Sequence, residues 1–313
     1  MCLIGRISKY KIHLLAMILG LLSANGVEAQ IFVTSYTGQT VGEYNLDGTA
    51  INASLITGQG LPVGIAVSNQ NLYIGYQLSG SSAASVIGEY TLSGGTVNAS
   101  LISGLSQPIG IAISGSDIFA ANYLPGTVGE YTTSGATVNA SLISGLSTPY
   151  SIAASGSDLY VVNINGSTST VAQYTTSGAL VSASLFPSLS TPTAVAVSGS
   201  HLYVADFGGT VGEYNLDGTP VNASLISNAN GVTGLAVTDS NIYVLNRTAG
   251  TVGEYGIDGT TLNTSLISGL NGPLGITVIP EPANTKIYLL LFGLGLLLRK
   301  CYINARSASN RPK

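Results

Sequence analysis

The stretch TVGEYNLDGT occupies residues 40–49 and returns unchanged at residues 210–219. Aligned on its tyrosine, the pattern recurs six times along the chain, at Tyr44, Tyr90, Tyr131, Tyr174, Tyr214 and Tyr255. The spacings of 46, 41, 43, 40 and 41 residues match the length of one four-stranded β-propeller blade. The string therefore predicts a chain built from duplicated blades.

Each repeat divides into four short β-type segments, of which the quoted string is the third. The first has the pattern PxGIAV and covers residues 62–67, 108–113, 149–154, 192–197, 232–237 and 273–278. The second has the pattern LYVAD and covers residues 31–35, 72–76, 118–122, 159–163, 202–206 and 242–246. The fourth has the pattern VNASLI, with the fixed leucines Leu55, Leu101, Leu142, Leu185, Leu225 and Leu266. Small residues in the first segment predict inner strands that crowd around a central axis.

A glycine ends the turn between the third and fourth segments in every repeat. These glycines are Gly48, Gly94, Gly135, Gly178, Gly218 and Gly259. Asp-Gly and Ser-Gly pairs are typical of hairpins, because glycine takes a positive φ without steric cost. The third and fourth segments are therefore expected to pair as a hairpin.

Four segments in six copies predict an all-β, six-bladed propeller of 24 strands over residues 30–279. The body begins on a second-type segment and ends on a first-type segment, so residues 273–278 should pair with residues 31–35 and close the ring. An open solenoid is the main alternative. A helical fold is disfavoured by the Gly, Ser and Thr content. The PxGIAV and LYVAD patterns resemble NHL and related six-bladed propellers, including streptogramin-lyase-like and gluconolactonase-like proteins.

Charge is sparse in this body. Charged residues make up 8% of the chain, and residues 30–279 contain twelve acidic residues but one basic residue, Arg247. Nucleic acid is therefore a poor candidate partner, since phosphate binding needs Lys and Arg. Cys2 and Cys301 lie outside the body, so no disulfide is expected within it.

Residues 1–29 have the order of a signal peptide: basic residues, the apolar run LLAMILGLL, and small residues at Val27 and Ala29. The alternative is a membrane anchor, but the apolar run is shorter than the roughly 20 residues that cross a bilayer. We expect export and a mature chain that begins near Gln30.

The C-terminal segment, residues 280–313, contains Pro280, Glu281 and Pro282, an apolar run at 287–298, and then Arg299 and Lys300. This order resembles the PEP-CTERM sorting signal. The resemblance implies exosortase-type sorting machinery, transient inner-membrane anchoring through residues 287–298, and association with exopolysaccharide at the cell surface or outside the cell. The alternative is a simple C-terminal anchor held by its positive flank.

The last place of the second segment is polar in every repeat. Four of these residues, Asn122, Asn163, Asp206 and Asn246, are candidate ligand- or metal-binding residues at the channel mouth; Ser35 and Tyr76 hold the other two places. Resemblance to gluconolactonase-like propellers implies that Asn and Asp here take part in binding a divalent cation. The alternative is that they cap the following turn through backbone amides.

Other repeated polar residues favour structural roles. A glutamate recurs in the third segment in five repeats, at Glu43, Glu89, Glu130, Glu213 and Glu254, but calcium needs six to eight oxygens in one cage. Sequons at Asn52, Asn98, Asn139, Asn222 and Asn263 are expected to be copies of one strand. His201 is the sole histidine of the body and predicts no catalytic relay. A mechanism that uses the carboxylates of Asp206 and Asp158 stays open.

These patterns favour an exported, non-enzymatic propeller that binds glycan or another matrix component, with no resident cofactor. A secreted, metal-dependent lactonase-like or lyase-like enzyme is the alternative. A protein-binding scaffold would use the same faces of the propeller.

Overall fold

The computed structural model describes residues 29–68, 70–78, 85–186, 189, 191–229 and 231–279. Gln30–Val278 form one compact unit. The predicted signal peptide, the Pro280-Glu281-Pro282 motif and the apolar run at 287–298 lie outside the described residues, and they stay predictions. Within the described residues, no helix has the length and apolar character needed to cross a membrane.

The described chain forms six four-stranded antiparallel sheets, as the repeat predicts. Blade 1 contains, from the inside outward, β24 (Pro273–Ile279), β1 (Gln30–Ser35), β2 (Thr40–Asn45) and β3 (Ala50–Thr57). Blade 2 contains β4 (Leu61–Ser68), β5 (Asn71–Gln77), β6 (Ser85–Thr91) and β7 (Thr96–Leu105). Blade 3 contains β8 (Pro108–Ser114), β9 (Asp117–Asn122), β10 (Thr127–Thr132) and β11 (Thr137–Ile143).

The other three blades repeat this order. Blade 4 contains β12 (Thr148–Ser155), β13 (Asp158–Ile164), β14 (Thr170–Thr175) and β15 (Leu180–Ser182), with a short 3-10 turn at Gly166–Thr168. Blade 5 contains β16 (Pro192–Ser198), β17 (His201–Asp206), β18 (Val211–Asn215) and β19 (Pro220–Ile226). Blade 6 contains β20 (Val232–Val237), β21 (Asn241–Asn246), β22 (Thr251–Gly256) and β23 (Thr261–Ile267).

The ring closes through the two ends of the body. Strand β24 pairs with β1, so blade 1 joins the last and the first strand of the propeller. The buried Thr34 hydroxyl donates to the carbonyl of Val63 (2.7 Å) and accepts from the Gly275 amide (2.8 Å). This hydroxyl therefore ties β1 to β24 and to the inner strand of blade 2. The predicted closed ring is confirmed, and the open solenoid is excluded.

The inner strands approach too closely for larger side chains at several places. A β-carbon on Gly64 would lie 2.4 Å from the Ile109 carbonyl oxygen, and one on Gly275 would lie 2.6 Å from that of Val63. Each contact joins the inner strands of two neighbouring blades. The small residues of the PxGIAV segment are therefore required by the crowding at the axis, as predicted.

The repeated aromatic residues pack between blades. Tyr131 of blade 3 is buried in one cluster with Tyr73 and Ile87 of blade 2 and with Ile118 of its own blade. Since the cluster contains residues of both sheets, its burial stabilises the contact between them. The prediction that Tyr131 forms part of an interblade core is confirmed.

The sequon asparagines hold a bulge in the outer strand. Each accepts a hydrogen bond through Oδ1 from the backbone amide two residues later, as in Asn52 with Ser54 (3.1 Å). The pairing of the third and fourth strands shifts register at the same place. The repeated Asn therefore has a local structural role in this strand.

Candidate binding site at the channel mouth

The four candidate residues lie at one end of the central channel. In the pairing of inner and second strands, Pro108 faces Asn122, Pro149 faces Asn163, Pro192 faces Asp206 and Val232 faces Asn246. Each candidate thus lies beside the first residues of an inner strand. The end of the channel where the inner strands begin is called the mouth below.

Three of the four candidates accept hydrogen bonds from backbone amides. Asn163 Oδ1 accepts from the backbone amides of Ser147 (2.9 Å) and Thr148 (3.1 Å). Asp206 Oδ1 accepts from the Thr210 amide (2.9 Å), and Asn246 Oδ1 accepts from the Ala249 amide (2.8 Å). The bonds of Asp206 and Asn246 match the alternative in which the side chain caps the following turn, whereas Asn163 bonds to the segment that leads into the inner strand of its blade.

Asn122 differs from the other three candidates because its side chain is enclosed. It is 3% exposed, and its Oδ1 atom is buried without a hydrogen-bond partner in the described structure. Its side chain lies near Tyr131, in the core between blades 2 and 3, and opposes the rise that burial causes in the pKa of that tyrosine. Asn122 is therefore engaged with the blade interior.

The carboxylates are dispersed over the described chain. No group of three His, Cys, Asp or Glu side chains among the described residues is placed to hold a metal ion. Asp158 begins its second strand, whereas Asp206 ends the corresponding strand of the next blade. Because these strands run in the same direction, the two carboxylates lie at opposite ends of the propeller, and the mechanism that combines them is wrong.

The repeated glutamates bond across to the second strand. Glu89 accepts from Asn71 Nδ2 (2.6 Å) and from the Tyr73 hydroxyl (3.2 Å). Burial raises the pKa of Glu43 and, despite its hydrogen bonds, that of Glu254; in Glu130 the nearby Asp117 adds to the effect of burial and raises the pKa further. These contacts support a structural role for the glutamates.

His201 is at the start of β17, at the end of the blade away from the mouth. Its Nδ1 atom lies 3.8 Å from Glu213 Oε1, and its side chain is 37% exposed. Asp206, at the other end of the same strand, is therefore out of its reach. The contacts of His201 thus supply no relay of the kind that nucleophilic catalysis requires.

The residue that follows each candidate position forms a second ring, which the sequence analysis missed. This mouth ring consists of Tyr36, Gln77, Tyr123, Ile164, Phe207 and Arg247, and all six are half-buried or exposed. In four blades its backbone amide donates to the residue that precedes the inner strand: Tyr36 to Gly272 (2.9 Å), Tyr123 to Gln107 (3.1 Å), Phe207 to Thr191 (2.9 Å) and Arg247 to Gly231 (3.1 Å). The ring is thus fixed around the mouth by the fold.

The mouth ring is rich in aromatic and apolar surface. Phe207 is 59% exposed, and Leu124, the residue after Tyr123, is 54% exposed. The Tyr36 hydroxyl donates to Gln77 Oε1 of the next blade (3.1 Å), so neighbouring members of the ring are in contact. Exposed aromatic groups interspersed with a few polar groups are typical of ligand sites.

The channel below the ring has a volume of about 260 Å³. All six inner strands line it, with small and aliphatic residues and with the polar side chains of Tyr150, Ser151, Thr233 and Thr277. None of the lining residues carries a charge. The lining therefore offers hydroxyl groups and backbone amides to a ligand, and the nearest cation is in the mouth ring.

Tyr150 connects the channel to the mouth ring. It is the third residue of β12, in blade 4, and it lines the channel. Burial raises the pKa of Tyr150, and the positive charge of Arg247, which approaches from blade 6, opposes that rise. The phenol of Tyr123, in blade 3, is close enough to raise this pKa further. Residues of three blades therefore approach one another across the mouth.

Comparisons with known proteins show the fold alone. The chain matches no protein-family model and no curated protein. A chain of the nidogen–laminin complex superposes with a TM-score of 0.66 and 17% identity, covering 80% of this chain and 98% of that one. A functionally unknown protein from Desulfotomaculum acetoxidans superposes with a TM-score of 0.58 and 17% identity, covering 82% of this chain and 90% of that one. A Bacteroides fragilis protein provisionally described as a 6-phosphogluconolactonase superposes with a TM-score of 0.55 and 14% identity, covering 80% of this chain and 98% of that one.

Each of these three structures aligns with most of the propeller body. Their identities of 14 to 17% are consistent with one architecture that carries unrelated sites. The chain is a six-bladed propeller, and the similarity to these structures extends to the fold alone.

Proposed function

We propose that this protein is an exported, non-enzymatic propeller that binds a saccharide of the cell surface or extracellular matrix through its mouth ring. The observation that carries the proposal is the exposed aromatic surface of that ring, above a channel whose lining has no charged side chain. Aromatic faces and nearby hydroxyl or amide groups suit the alternating apolar and polar faces of a sugar.

The predicted export signal supports a location at the cell surface or in the extracellular matrix. A signal peptide at residues 1–29 would send the body across the inner membrane. The resemblance of Pro280, Glu281 and Pro282 to a sorting motif would connect the protein with exosortase-type machinery and exopolysaccharide. The sparse charge of the body is compatible with a neutral polysaccharide network.

Cellular location is tested by the intact mass of the native protein in cell, membrane and culture fractions. Sorting predicts a mature chain that begins near Gln30, is trimmed near Pro280 and lies outside the cell. A protein that keeps its tail in the membrane fraction would instead be a simple anchored propeller, and the link with exopolysaccharide would lose its support.

Saccharide binding is tested by titrating the protein with neutral oligosaccharides in a calorimeter. We expect Tyr123→Ala and Phe207→Ala to weaken binding at least tenfold, since each removes one aromatic face. Val138→Ala is the matched control, because Val138 is 54% exposed on the outer strand of blade 3, away from the mouth. Equal affinities in all three variants would overturn the assignment of the site to the mouth ring.

A further inference from the structure

The mouth ring holds the body's one Lys or Arg residue, Arg247, against twelve acidic residues in residues 30–279. Even so, no carboxylate among the described residues lies within 4.0 Å of its guanidinium. The ion pair that the described residues do form joins His201 and Glu213, away from the mouth. Arg247 instead lies near the phenol of Tyr150, where its positive charge opposes the rise in pKa that burial causes. In a body so rich in carboxylates, a cation that pairs with none of them can receive an external anion.

The loop that presents Arg247 is held on both sides. The Arg247 amide donates to the Gly231 carbonyl (3.1 Å), and the Asn246 side chain caps Ala249 (2.8 Å). Gly250 has a φ of 66°, and a β-carbon on it would lie 2.5 Å from the Leu270 carbonyl oxygen. The backbone beside Arg247 is therefore already ordered, which lowers the entropy cost of binding through this side chain.

A second polar group lies below the mouth in the same blade. Thr233, on β20, lines the channel and is 8% exposed. Its Oγ1 atom is buried without a hydrogen-bond partner in the described structure. Buried hydroxyl groups normally have a partner, so the wall of the channel contains an unsatisfied polar group near the mouth.

We propose that Arg247, with Tyr150 and Tyr123 beside it, anchors the carboxylate of one acidic sugar residue at the channel mouth. The planar guanidinium forms two parallel hydrogen bonds with a carboxylate, and this geometry distinguishes arginine from lysine. The tyrosines provide the surface on which the sugar ring lies.

The charge of the body limits the ligand to sparsely charged chains. Twelve carboxylates against one cation repel a polyanion over most of the surface, whereas a single uronate at the mouth meets the one arginine. The inference rests on the proposed saccharide binding and narrows it to a neutral glycan that bears isolated or terminal acidic sugars.

The test compares three oligosaccharides on the full-length protein: a neutral chain ending in one uronic acid, the same chain after reduction of the carboxyl group, and the same chain carrying a sulfate ester. We expect the uronic acid to bind at least tenfold more tightly than the reduced chain. Arg247→Gln should reduce its affinity to that of the reduced chain, and Arg247→Lys should restore only part of the difference.

His201→Gln is the matched control, because it removes an ionisable side chain at the opposite end of a blade. It should leave all three affinities unchanged, and equal melting temperatures of the variants would show that folding is intact. Equal binding of the acidic and reduced chains would overturn the carboxylate anchor while saccharide binding stands. Tighter binding of the sulfate ester would overturn the choice of carboxylate. Failure of every chain to bind would overturn the proposed function as well.

Discussion

Gly48, in the hairpin turn of blade 1, packs against the backbone of Leu266 in blade 6, where a β-carbon on residue 48 would lie 2.2 Å from the leucine carbonyl oxygen. The same contact joins every adjacent pair of blades: Gly94 with Leu55, Gly135 with Leu101, Gly178 with Leu142, Gly218 with Leu185, and Gly259 with Leu225. The fixed turn glycine and the fixed leucine of the repeat are therefore the two halves of one interblade contact, and the contact of Gly48 closes the ring.

We expect Gly48→Ala to destabilise the propeller more than Gly58→Ala. Both glycines have a positive φ, 83° and 74°, so each alanine carries a backbone cost of about 1 to 2 kcal/mol. A β-carbon on Gly58 meets no atom within 4 Å, whereas Gly48→Ala adds the clash with Leu266, which costs roughly 1 to 3 kcal/mol more. Chemical denaturation of both variants measures the difference. Equal losses would mean that the blades separate without cost at this contact.

Replacement of Tyr131 tests the interblade core. Tyr131→Ala should lower the free energy of unfolding by about 3 to 5 kcal/mol, since it removes a buried ring and leaves a cavity between blades 2 and 3. Tyr131→Phe retains the buried ring and loses only the hydroxyl near Asn122, so we expect a smaller loss. An unchanged melting temperature in Tyr131→Ala would contradict the core assignment.

The fold could be predicted from the sequence because each physical requirement is written six times. The period of the fixed tyrosines sets the blade length, and the turn glycines locate the hairpins. The displaced first and last segments predict the pairing of β24 with β1, which the structure contains. A single repeat would leave these signals ambiguous, whereas six aligned copies separate the constant positions from the variable ones.

The mouth ring was not predictable in the same way. Its members differ from blade to blade, so the alignment that shows the fold offers no shared residue type there. The useful signal was positional, since the first variable residue after each LYVAD segment belongs to the ring. The approach of Arg247 to Tyr150 spans two blades, and it depends on side-chain reach across the mouth, which no local pattern encodes.

Replacement of Asp206 distinguishes a turn-capping role of this side chain from a metal-binding role. Its Oδ1 atom accepts the Thr210 amide at 2.9 Å, and an asparagine can make the same bond. We therefore expect Asp206→Asn to have little effect on stability and Asp206→Ala to cost about 1 kcal/mol, measured by thermal and chemical unfolding.

Metal analysis of the purified protein completes this test. If Asp206 acts as a turn cap, a chelator should leave the melting temperature of the wild-type protein unchanged. Stoichiometric divalent metal that disappears in Asp206→Asn would favour the lactonase-like enzyme instead.

The pH dependence of stability should separate Glu43 from Asp47, its neighbour in the hairpin turn. Burial raises the pKa of Glu43 in the folded protein, so its contribution to stability is full below its unfolded pKa, about 4.3, and is lost as pH rises through the folded value. Glu43→Gln stays neutral and can still accept from Gln30 Nε2, so its melting temperature relative to the wild type should increase between pH 4 and pH 7.

The stability contribution of Asp47 has the opposite pH dependence, because hydrogen bonds from Thr49 lower its pKa. This contribution is present above the unfolded pKa and is lost as pH falls through the folded value. Asp47→Asn should therefore gain stability relative to the wild type as pH falls below about 4, the unfolded value, and should run parallel to the wild type between pH 4 and pH 7. A Glu43→Gln profile parallel to the wild type between pH 4 and pH 7, or an Asp47→Asn profile parallel to it below pH 4, would contradict the corresponding assignment.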